Sequence, residues 1–198
     1  FVIVKLSTVA LIKSISGIRG TIGGKTGENL TPLDVVKFTA AYGSWLLQQS
    51  SKNRRVVVGR DGRISGYMVQ QLVVSTLIGM GIDVVDAGLS TTPTVEMAVI
   101  WEKAAGGIII TASHNPKEWN ALKLLNAQGE FISAADGEWI LEKAAREDFT
   151  FNPVDKIGSL QFNDTFLQKH IDAIVDYPLI DIENIRKKNF KVVVDVVN

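Results

Sequence analysis

The apolar residues of this chain alternate between a helical spacing and short continuous runs. Thr31 and Pro32 are typical of the first residues of a helix, and the apolar residues after them recur three and four positions apart. This spacing predicts an amphipathic helix with an inward face made of Val35, Phe38, Tyr42, Trp45 and Leu46. Two further helices are predicted, one after Ser65 as its N-cap and one over residues 93–103.

Short apolar runs lie between these helices and predict buried strands. The runs are residues 56–59, 82–86 and 104–111, and their valines and isoleucines favour strands that are covered on both faces. Strands that alternate with helices are typical of parallel strands joined by right-handed crossovers. The pattern therefore predicts an α/β fold, a three-layer α/β/α domain with a mixed, mostly parallel sheet.

The pattern is less regular outside this region. Residues 1–12 are largely apolar and predict a first strand. Residues 121–125 and 130–132 bracket a turn-forming segment and predict a hairpin, and residues 136–146 predict another helix.

A second domain is predicted to begin in the last quarter of the chain. Residues 148–158 contain proline and glycine and predict a linker, and Asp164 is a suitable cap for a following helix. The predicted inward face of that helix is Phe166, Leu167, His170, Ile171, Ile174 and Val175. Residues 191–197 predict a strand. We therefore expect a first domain over residues 1–150, and over residues 151–198 the linker and the start of a similar α/β domain.

The composition argues against several classes of function. The 198 residues are 46% apolar and carry 21 basic and 21 acidic side chains, and a net charge of zero is unusual for a general nucleic-acid-binding protein. Without cysteine there is no disulfide framework or thiolate metal site, and two histidines alone do not make a zinc site. The apolar run at residues 1–12 is shorter than the roughly 20 residues that span a bilayer. We expect a cytoplasmic protein with no nucleic-acid or membrane partner.

Reactive side chains cluster after the most apolar strand. Residues 111–117 contain the hydroxyl of Ser113, the imidazole of His114 and the amide of Asn115. Ligands of open α/β sheets bind beyond the carboxyl ends of the strands. Lys123 follows on the returning strand, where its ammonium can face this loop, and a desolvated lysine can take the proton of a serine. The segment predicts a site, and the alternative is an ordinary polar turn.

Two glycine-rich basic segments are candidates for phosphate binding. Residues 14–20 form one loop and place Arg19 between two glycines, where backbone amides can approach an anion. Residues 59–66 carry Arg60 and Arg63 ahead of a helix N-terminus, which attracts phosphate. The alternative for the second segment is an ion pair that holds the turn. Together with the serine loop, both segments predict a phosphate-binding rim.

Common catalytic motifs are absent from the sequence. Residues 24–26 match only the end of a P-loop, because Arg19 stands where its first glycine is required. No GxGxxG or GxSxG segment occurs, so neither a dinucleotide site nor a hydrolase elbow is supported.

Four segments together resemble one family. Residues 111–116, Thr-Ala-Ser-His-Asn-Pro, are similar to the phosphoserine loop of the α-D-phosphohexomutases, the phosphoglucomutase/phosphomannomutase superfamily. Residues 16–20 are similar to its Gly-Ile-Arg-Gly loop and residues 59–66 to its Gly-Arg-Asp-x-Arg-x-Ser segment. Residues 120–123 match its Asn-Gly-x-Lys, with Ala121 in place of glycine. Four motifs in the same order are far more specific than any one of them.

The resemblance implies an intramolecular phosphotransferase that interconverts hexose 1-phosphate and hexose 6-phosphate through a bisphosphate intermediate. Ser113 would carry the transferred phosphate and Lys123 would be the general acid/base. The phosphate and the substrate would be bound and oriented by Arg19, His114, Asn115, Arg60 and Arg63. A Mg²⁺ ion would contact Ser113 through its phosphate and would otherwise be held by an aspartate loop that this sequence does not contain. Hexose 1,6-bisphosphate would be the activator.

The resemblance also implies that the chain is an N-terminal fragment. Residues 192–198 resemble the strand that opens the second domain of the family, and the loops that bind the sugar and the distal phosphate are missing. We therefore expect these 198 residues alone to be catalytically inert. Phosphoglucosamine mutase, which has a similar serine loop, is an alternative. A non-catalytic phosphosugar-binding relative is an alternative of another class, and a plain interaction module would have no phosphate affinity.

Overall fold

The computed structural model describes residues 10–14, 17–49 and 53–195. Its strands are β1 (Ile12–Ser14), β2 (Gly17–Thr21), β3 (Arg55–Arg60), β4 (Asp83–Leu89), β5 (Gly106–Ile110), β6 (Trp119–Leu125) and β7 (Leu160–Phe162). Its helices are α1 (Pro32–Gln49), α2 (Gly66–Gly79), α3 (Thr92–Trp101), α4 (Ala134–Arg146), α5 (Phe166–Val175) and α6 (Ile182–Lys187), with a single 3-10 turn at Val154–Lys156.

The seven strands form one mixed sheet in the order β1-β2-β6-β5-β3-β4-β7. The central pairs β3–β4 and β3–β5 are parallel, as is β4–β7, and the pairs β1–β2, β2–β6 and β5–β6 are antiparallel. Only β1 and β6 therefore run against the other five strands. The predicted mixed, mostly parallel sheet is confirmed.

Helices cover both faces of this sheet. Alternate residues of β3 separate to the two sides, with Val56 and Val58 in one core and Val57 in the other. The first core packs α1, α2 and α4 on the sheet, and the second packs α3 and the start of α5. This arrangement confirms the predicted α/β/α layers and explains why consecutive residues in the middle of β3 and in β5 are apolar. None of the described helices is long and apolar enough to cross a membrane.

The N-terminal region differs from the prediction. Residues 1–9 lie outside the described part of the chain, so the predicted strand over residues 1–12 overlaps it only at the start of β1. The segment that we expected as a glycine-rich loop is instead strand β2, which lies between β1 and β6. Ile18 pairs with Leu122 there. The sequence signal is weak because partners far along the chain, and not local propensity, make this segment a strand.

The predicted hairpin after β6 is a turn with one bridge. Asn126 donates from its backbone to the carbonyl of Glu130 at 2.8 Å, and Leu125 forms an antiparallel bridge with Phe131. Residues 130–132 thus reverse the chain as expected, but they do not form a strand. Helix α4 then begins at a Ser133–Asp136 capping box, close to the predicted start.

The segment after residue 150 packs on the same sheet. Strand β7 pairs in parallel with β4, and the side chain of Phe166 is 2% exposed and stacks on Trp101. The predicted linker over residues 148–158 contains the 3-10 turn, and Gly158 donates to the carbonyl of Ile78. The division after residue 150 stays a prediction.

Two expectations for the C-terminal region are wrong. Of the apolar residues that we placed on the inward face of α5, only Phe166 is buried, and Leu167, Ile171, Ile174 and Val175 are exposed. Residues 191–195 form no strand, and the end of the predicted strand lies outside the described residues. An amphipathic pattern shows that a face is apolar, but it does not say what covers that face.

Candidate active site

A cleft of about 280 Å³ opens where β5 ends and the chain turns toward β6. It brings together Ser113, His114, Asn115, Lys123 and Arg19, which the sequence analysis had selected from separate segments. The remaining lining residues are Gly17, Thr111, Ala112, Ala121 and Phe131. The meeting of these segments follows from topology, because β6 pairs with β5 on one side and with β2 on the other.

Ser113 lies on the tip of a left-handed turn. Its φ is +53°, a conformation that residues other than glycine rarely adopt. The backbone N–H of Ser113 donates to Oγ1 of Thr111 at 3.0 Å, and that of Asn115 donates to the carbonyl of Ala112 at 3.1 Å. Ser113 is exposed, so its hydroxyl is accessible from the cleft. Unusual backbone conformations of this kind concentrate at functional sites.

Arg63 lies buried beneath the serine turn, with its side chain 0% exposed. Its guanidinium donates to four backbone carbonyls at 2.7–3.0 Å, those of Ser113, Asn115, Pro116 and Trp119. Since these donors are all directed at carbonyls, Arg63 does not line the cleft. The ion pair that was the alternative for this segment is present between Arg63 and Asp61, and the phosphate contact of Arg63 stays a prediction.

Asp61 connects this arginine to the strand end. Its Oδ1 accepts from the backbone N–H of Arg63 at 3.0 Å, and its Oδ2 accepts from Oγ1 of Thr111 at 2.6 Å. Oδ2 also lies 3.3 Å from Nε of Arg63, a charge contact outside hydrogen-bond geometry. Thr111 thus links Asp61 on one side to the N–H of Ser113 on the other.

Lys123 lies on β6 with its side chain toward the cleft. Its neighbours Leu122 and Leu124 are buried on the opposite face, as the alternation of a strand requires. The Nζ atom lies 5.9 Å from the centre of the Phe131 ring, within the range of a cation–π contact. Phe131 is 40% exposed and forms part of the cleft wall. The predicted approach of Lys123 to the serine loop agrees with this geometry.

Arg19 reaches the cleft from β2, where it pairs with Ala121 of β6. Its Nε atom is buried, and no group in the described residues accepts a hydrogen bond from it. Gly17 lies beside it with φ +122°, and a Cβ at that position would lie 2.4 Å from the carbonyl oxygen of Leu122. The glycine therefore permits the close approach of β2 to β6, and the arginine brings a positive charge to the wall of the cleft.

Arg60 is not part of the cleft. Its Nε donates to Oε1 of Gln70 at 3.0 Å and its Nη1 to the carbonyl of Asp61 at 3.1 Å. Gln70 in turn donates to Asp86, and burial raises the pKa of the Asp86 carboxyl, partly offset by the N–H of Gly88 and the charge of Arg60. These contacts fasten α2 to the end of β3 and to the middle of β4. Like Arg63, Arg60 lies outside the lining of the cleft, and its phosphate contact stays a prediction.

Ser65 also differs from its predicted role. It precedes α2 as expected, but its side chain makes no hydrogen bond to the first turn of the helix. Its hydroxyl instead accepts from Nδ2 of Asn120, which is fully buried at the start of β6. The serine therefore ties α2 to the strand that carries Lys123.

The described residues do not by themselves provide a magnesium site. They contain no group of three or more histidines and acidic residues that could hold a metal ion. Asp61 is the acidic residue bonded directly to the serine turn, and both of its oxygens already accept hydrogen bonds. Among the described residues, no acidic side chain lines the cleft.

Two contributors to the site are not singled out by the sequence pattern. Thr111 lines the cleft and fixes the serine turn, and Phe131 lines the cleft. Thr111 stands inside a segment that is selected for Ser113, His114 and Asn115. Phe131 had only its position after a turn as a signal, and its proximity to Lys123 depends on the bridge to Leu125.

Comparisons with known proteins found similar sequences and structures. The family model "Phosphoglucomutase/phosphomannomutase, alpha/beta/alpha domain I" matches residues 11–151. A phosphoglucomutase/phosphomannomutase of Thermococcus kodakarensis is 37% identical over 181 residues, which are 90% of this chain and 39% of that protein. A phosphoglucosamine/phosphogalactosamine mutase of Sulfurisphaera tokodaii is 32% identical, over 92% of this chain and 38% of that protein.

A solved structure shows the same fold. A phosphoglucomutase/phosphomannomutase family protein of Burkholderia thailandensis superposes with a TM-score of 0.68 at 25% identity, over 86% of this chain and 36% of that one. The chain thus spans less than two-fifths of the length of the two curated relatives described above.

Proposed function

Because this chain belongs to the phosphoglucomutase/phosphomannomutase family, we propose that the protein carrying it interconverts hexose 1-phosphate and hexose 6-phosphate. The observation that carries the proposal is the cleft itself. Its lining contains the exposed Ser113 together with the side chains of Lys123 and Arg19. A nucleophilic hydroxyl, a proton carrier and an anion-binding donor are the groups that phosphoryl transfer requires on the enzyme side.

In the proposed reaction, Ser113 carries the phosphoryl group between turnovers. The free hydroxyl of the hexose phosphate attacks this phosphorus, the bond from phosphorus to Oγ breaks, and a hexose 1,6-bisphosphate forms. Lys123 takes the proton of the attacking hydroxyl and supplies one to Oγ as it leaves. The bisphosphate then returns its other phosphate to Ser113 by the reverse step, so no phosphate is consumed. Added hexose 1,6-bisphosphate acts as activator because it phosphorylates an empty Ser113.

The other cleft residues bind and orient the phosphate. The positive charge of Arg19, which lines the cleft, balances the phosphoryl oxygens. His114 and Asn115 flank Ser113 on the cleft wall, where they orient the phosphoserine and the sugar phosphate. Mg²⁺, when bound, would neutralise phosphoryl charge and would touch this chain only through the phosphate on Ser113. A hexose phosphate is an intracellular metabolite, so we place the protein in the cytoplasm.

The direct test is the mass of the phosphorylated protein. The protein that carries this chain is incubated with Mg²⁺ and glucose 1,6-bisphosphate, and its peptides are analysed by mass spectrometry beside Ser113→Ala. One phosphate on the Ser113 peptide, absent from the variant, is expected. A folded protein that takes up no phosphate at Ser113 would remove the mutase mechanism and favour a non-catalytic phosphosugar-binding relative.

This chain alone is expected to show no turnover of glucose 1-phosphate in a coupled assay. Phosphoryl transfer depends on positioning and on electrostatic stabilisation of the phosphoryl oxygens. The described residues contain no group of three or more histidine and acidic side chains that could hold the metal ion. Phosphate-ester reactions need accelerations of up to about 10²¹-fold, which one half of a site does not provide. Measurable turnover by the 198 residues would contradict this expectation.

A phosphoglucosamine mutase is the second candidate, and one observation favours it. The relative from Sulfurisphaera tokodaii, named as acting on phosphoglucosamine and phosphogalactosamine, is 32% identical. The two candidates share the chemistry at Ser113 and differ in the group at C2 of the sugar. The ratio of kcat/KM for glucosamine 1-phosphate and glucose 1-phosphate decides between them, with Ser113→Ala as the blank for both.

A further inference from the structure

We propose that Arg63 is a positioning residue for Ser113, and that Asp61 keeps the Arg63 guanidinium in place. The inference rests on the proposed function, because it assigns what keeps the phosphate-carrying oxygen in place. Arg63 makes no contact with the cleft, so it acts through the backbone of the serine turn and not on the substrate. In this proposal residues 61–63, which connect β3 to α2, set the conformation of a loop 50 residues further along the chain.

The contacts require the shape of an arginine. The four carbonyls that accept hydrogen bonds from the guanidinium belong to residues spread from Ser113 to Trp119. Each of the two terminal nitrogens of Arg63 donates to two of them. A planar fork with fixed donors satisfies all four at once, whereas the ammonium of a lysine is a single point with three donors. Arg63 therefore closes the loop into one conformation that a lysine cannot maintain.

The same contacts have an electrostatic consequence for a phosphate on Ser113. A backbone carbonyl that faced the phosphate would repel it with the negative end of its dipole. Four carbonyls of this turn have their oxygen atoms against Arg63 instead, and one of these is the carbonyl of Ser113 itself. The buried guanidinium thus keeps these four carbonyl oxygens pointed away from the phosphoryl group. Its own charge is balanced by Asp61, 3.3 Å away.

Asp61 makes the arrangement specific to the conformation of Ser113. Its two oxygens join the N–H of Arg63 and the hydroxyl of Thr111, which accepts the N–H of Ser113. Both backbone groups of Ser113 are therefore hydrogen-bonded: its N–H donates to Thr111, and its carbonyl accepts from Arg63. Fixing both ends is what keeps φ at +53°, although the side chain of Ser113 is free in the cleft.

The experiment compares Arg63→Lys with Arg55→Lys in the protein that carries this chain. Arg55 lies at the opposite end of β3, where it forms an ion pair with Glu102 at 3.1 Å, so it controls for the same change of side chain. Two quantities are measured in each protein. The first is the single-turnover rate of phosphoryl transfer from glucose 1,6-bisphosphate to Ser113, together with kcat and KM. The second is the intraresidue HN–Hα NOE of Ser113, which is strong for a left-handed residue.

Arg63→Lys is expected to lower the transfer rate and kcat by about 10²-fold, the effect of misplacing a reacting group by about 1 Å, with little change in KM. It is also expected to weaken the Ser113 NOE, and Arg55→Lys should change neither quantity. An unchanged rate and an unchanged NOE in a folded Arg63→Lys protein would overturn the proposal. A lowered rate with the NOE intact would also overturn it, because the arginine would then act other than through the turn.

If Arg63→Lys does not fold, Asp61→Asn decides by the same two readouts. The amide keeps a similar shape but removes the charge that faces Arg63, so loss of both the NOE and the rate is expected. A failure of the role proposed for Arg63 can be distinguished from a failure of the proposed function. Absence of phosphate on Ser113 in the unchanged protein removes the function, whereas the NOE still reports whether Arg63 sets the turn.

Discussion

Replacing Thr111 with valine removes one hydroxyl between Asp61 and Ser113 and keeps the size of the side chain. That hydroxyl donates to Oδ2 of Asp61 at 2.6 Å and accepts the N–H of Ser113 at 3.0 Å. Thr111 is 7% exposed, so water does not readily take its place. The substitution therefore isolates the hydrogen bonds that hold the start of the serine turn.

The magnitude follows from the two bonds. A hydrogen bond to a charged group contributes about 1.5–3 kcal/mol and a neutral one about 1 kcal/mol. Because the Asp61 side chain is 24% exposed, the lower value applies to the first bond. The expected loss is about 2.5 kcal/mol in the free energy of unfolding, or about 5–10 °C in Tm for a chain of this length.

Urea and thermal unfolding of Thr111→Val and Thr111→Ser provide the assay. The serine keeps the hydroxyl and loses one buried methyl group, which costs about 0.8 kcal/mol. Valine should thus be the less stable variant, and the Ser113 amide should exchange its hydrogen faster in valine than in serine. If the valine variant is as stable as the serine variant and protects that amide equally, the hydroxyl does not anchor the turn.

Three further predictions concern buried groups. Tyr42→Phe should lower the free energy of unfolding by about 1–3 kcal/mol, because the hydroxyl bonds the carbonyls of Gly107 and Leu125. Burial raises the Tyr42 pKa, so the advantage of the tyrosine is complete below the unfolded pKa of about 10 and should shrink above it; urea titrations at pH 7 and pH ~10.5 that show a constant difference would contradict this. Burial likewise raises the Asp86 pKa, so its contribution to the free energy of unfolding is complete below the unfolded pKa near 3.9 and is lost as the pH rises through the folded pKa. Asp86→Asn does not titrate, so its stability relative to the wild type should increase between pH ~4 and 7 in urea titrations, and a pH-independent difference would refute this. Gly17→Ala, whose Cβ would lie 2.4 Å from a carbonyl oxygen, should lower Tm by several degrees, and an unchanged melting curve would show that β2 can shift.

The layers of the fold could be predicted because their signals are local. Three runs of β-branched residues alternate with segments of helical spacing, and this pattern predicts parallel strands with helices on both faces. The valines of β3 confirm it, because Val56 and Val58 lie in one core and Val57 in the other. The position of the serine loop followed from the same pattern, since it leaves the most apolar strand. Strand β2 could not be predicted in this way, because its pairing of Ile18 with Leu122 depends on a partner on the far side of the domain.

The candidate site was predicted in its reactive members and not in their supports. Ser113, Lys123 and Arg19 carry chemistry that can be recognised one residue at a time, and they do line one cleft. Arg60 and Arg63 carry the same charge as Arg19, but they are committed to protein contacts. Charge and spacing do not distinguish an arginine that binds other parts of the protein from one that lines a cleft.

The sequence by itself determined the α/β/α class, the serine loop at a strand end and the family to which the chain belongs. Each of these depends on residues close together in the chain or on the order of motifs along it. Only the tertiary structure decided which arginine faces the cleft and that Ser113 is held in a left-handed turn. Burial and hydrogen-bond partners decide both, and they exist only once segments about 50 residues apart have packed together.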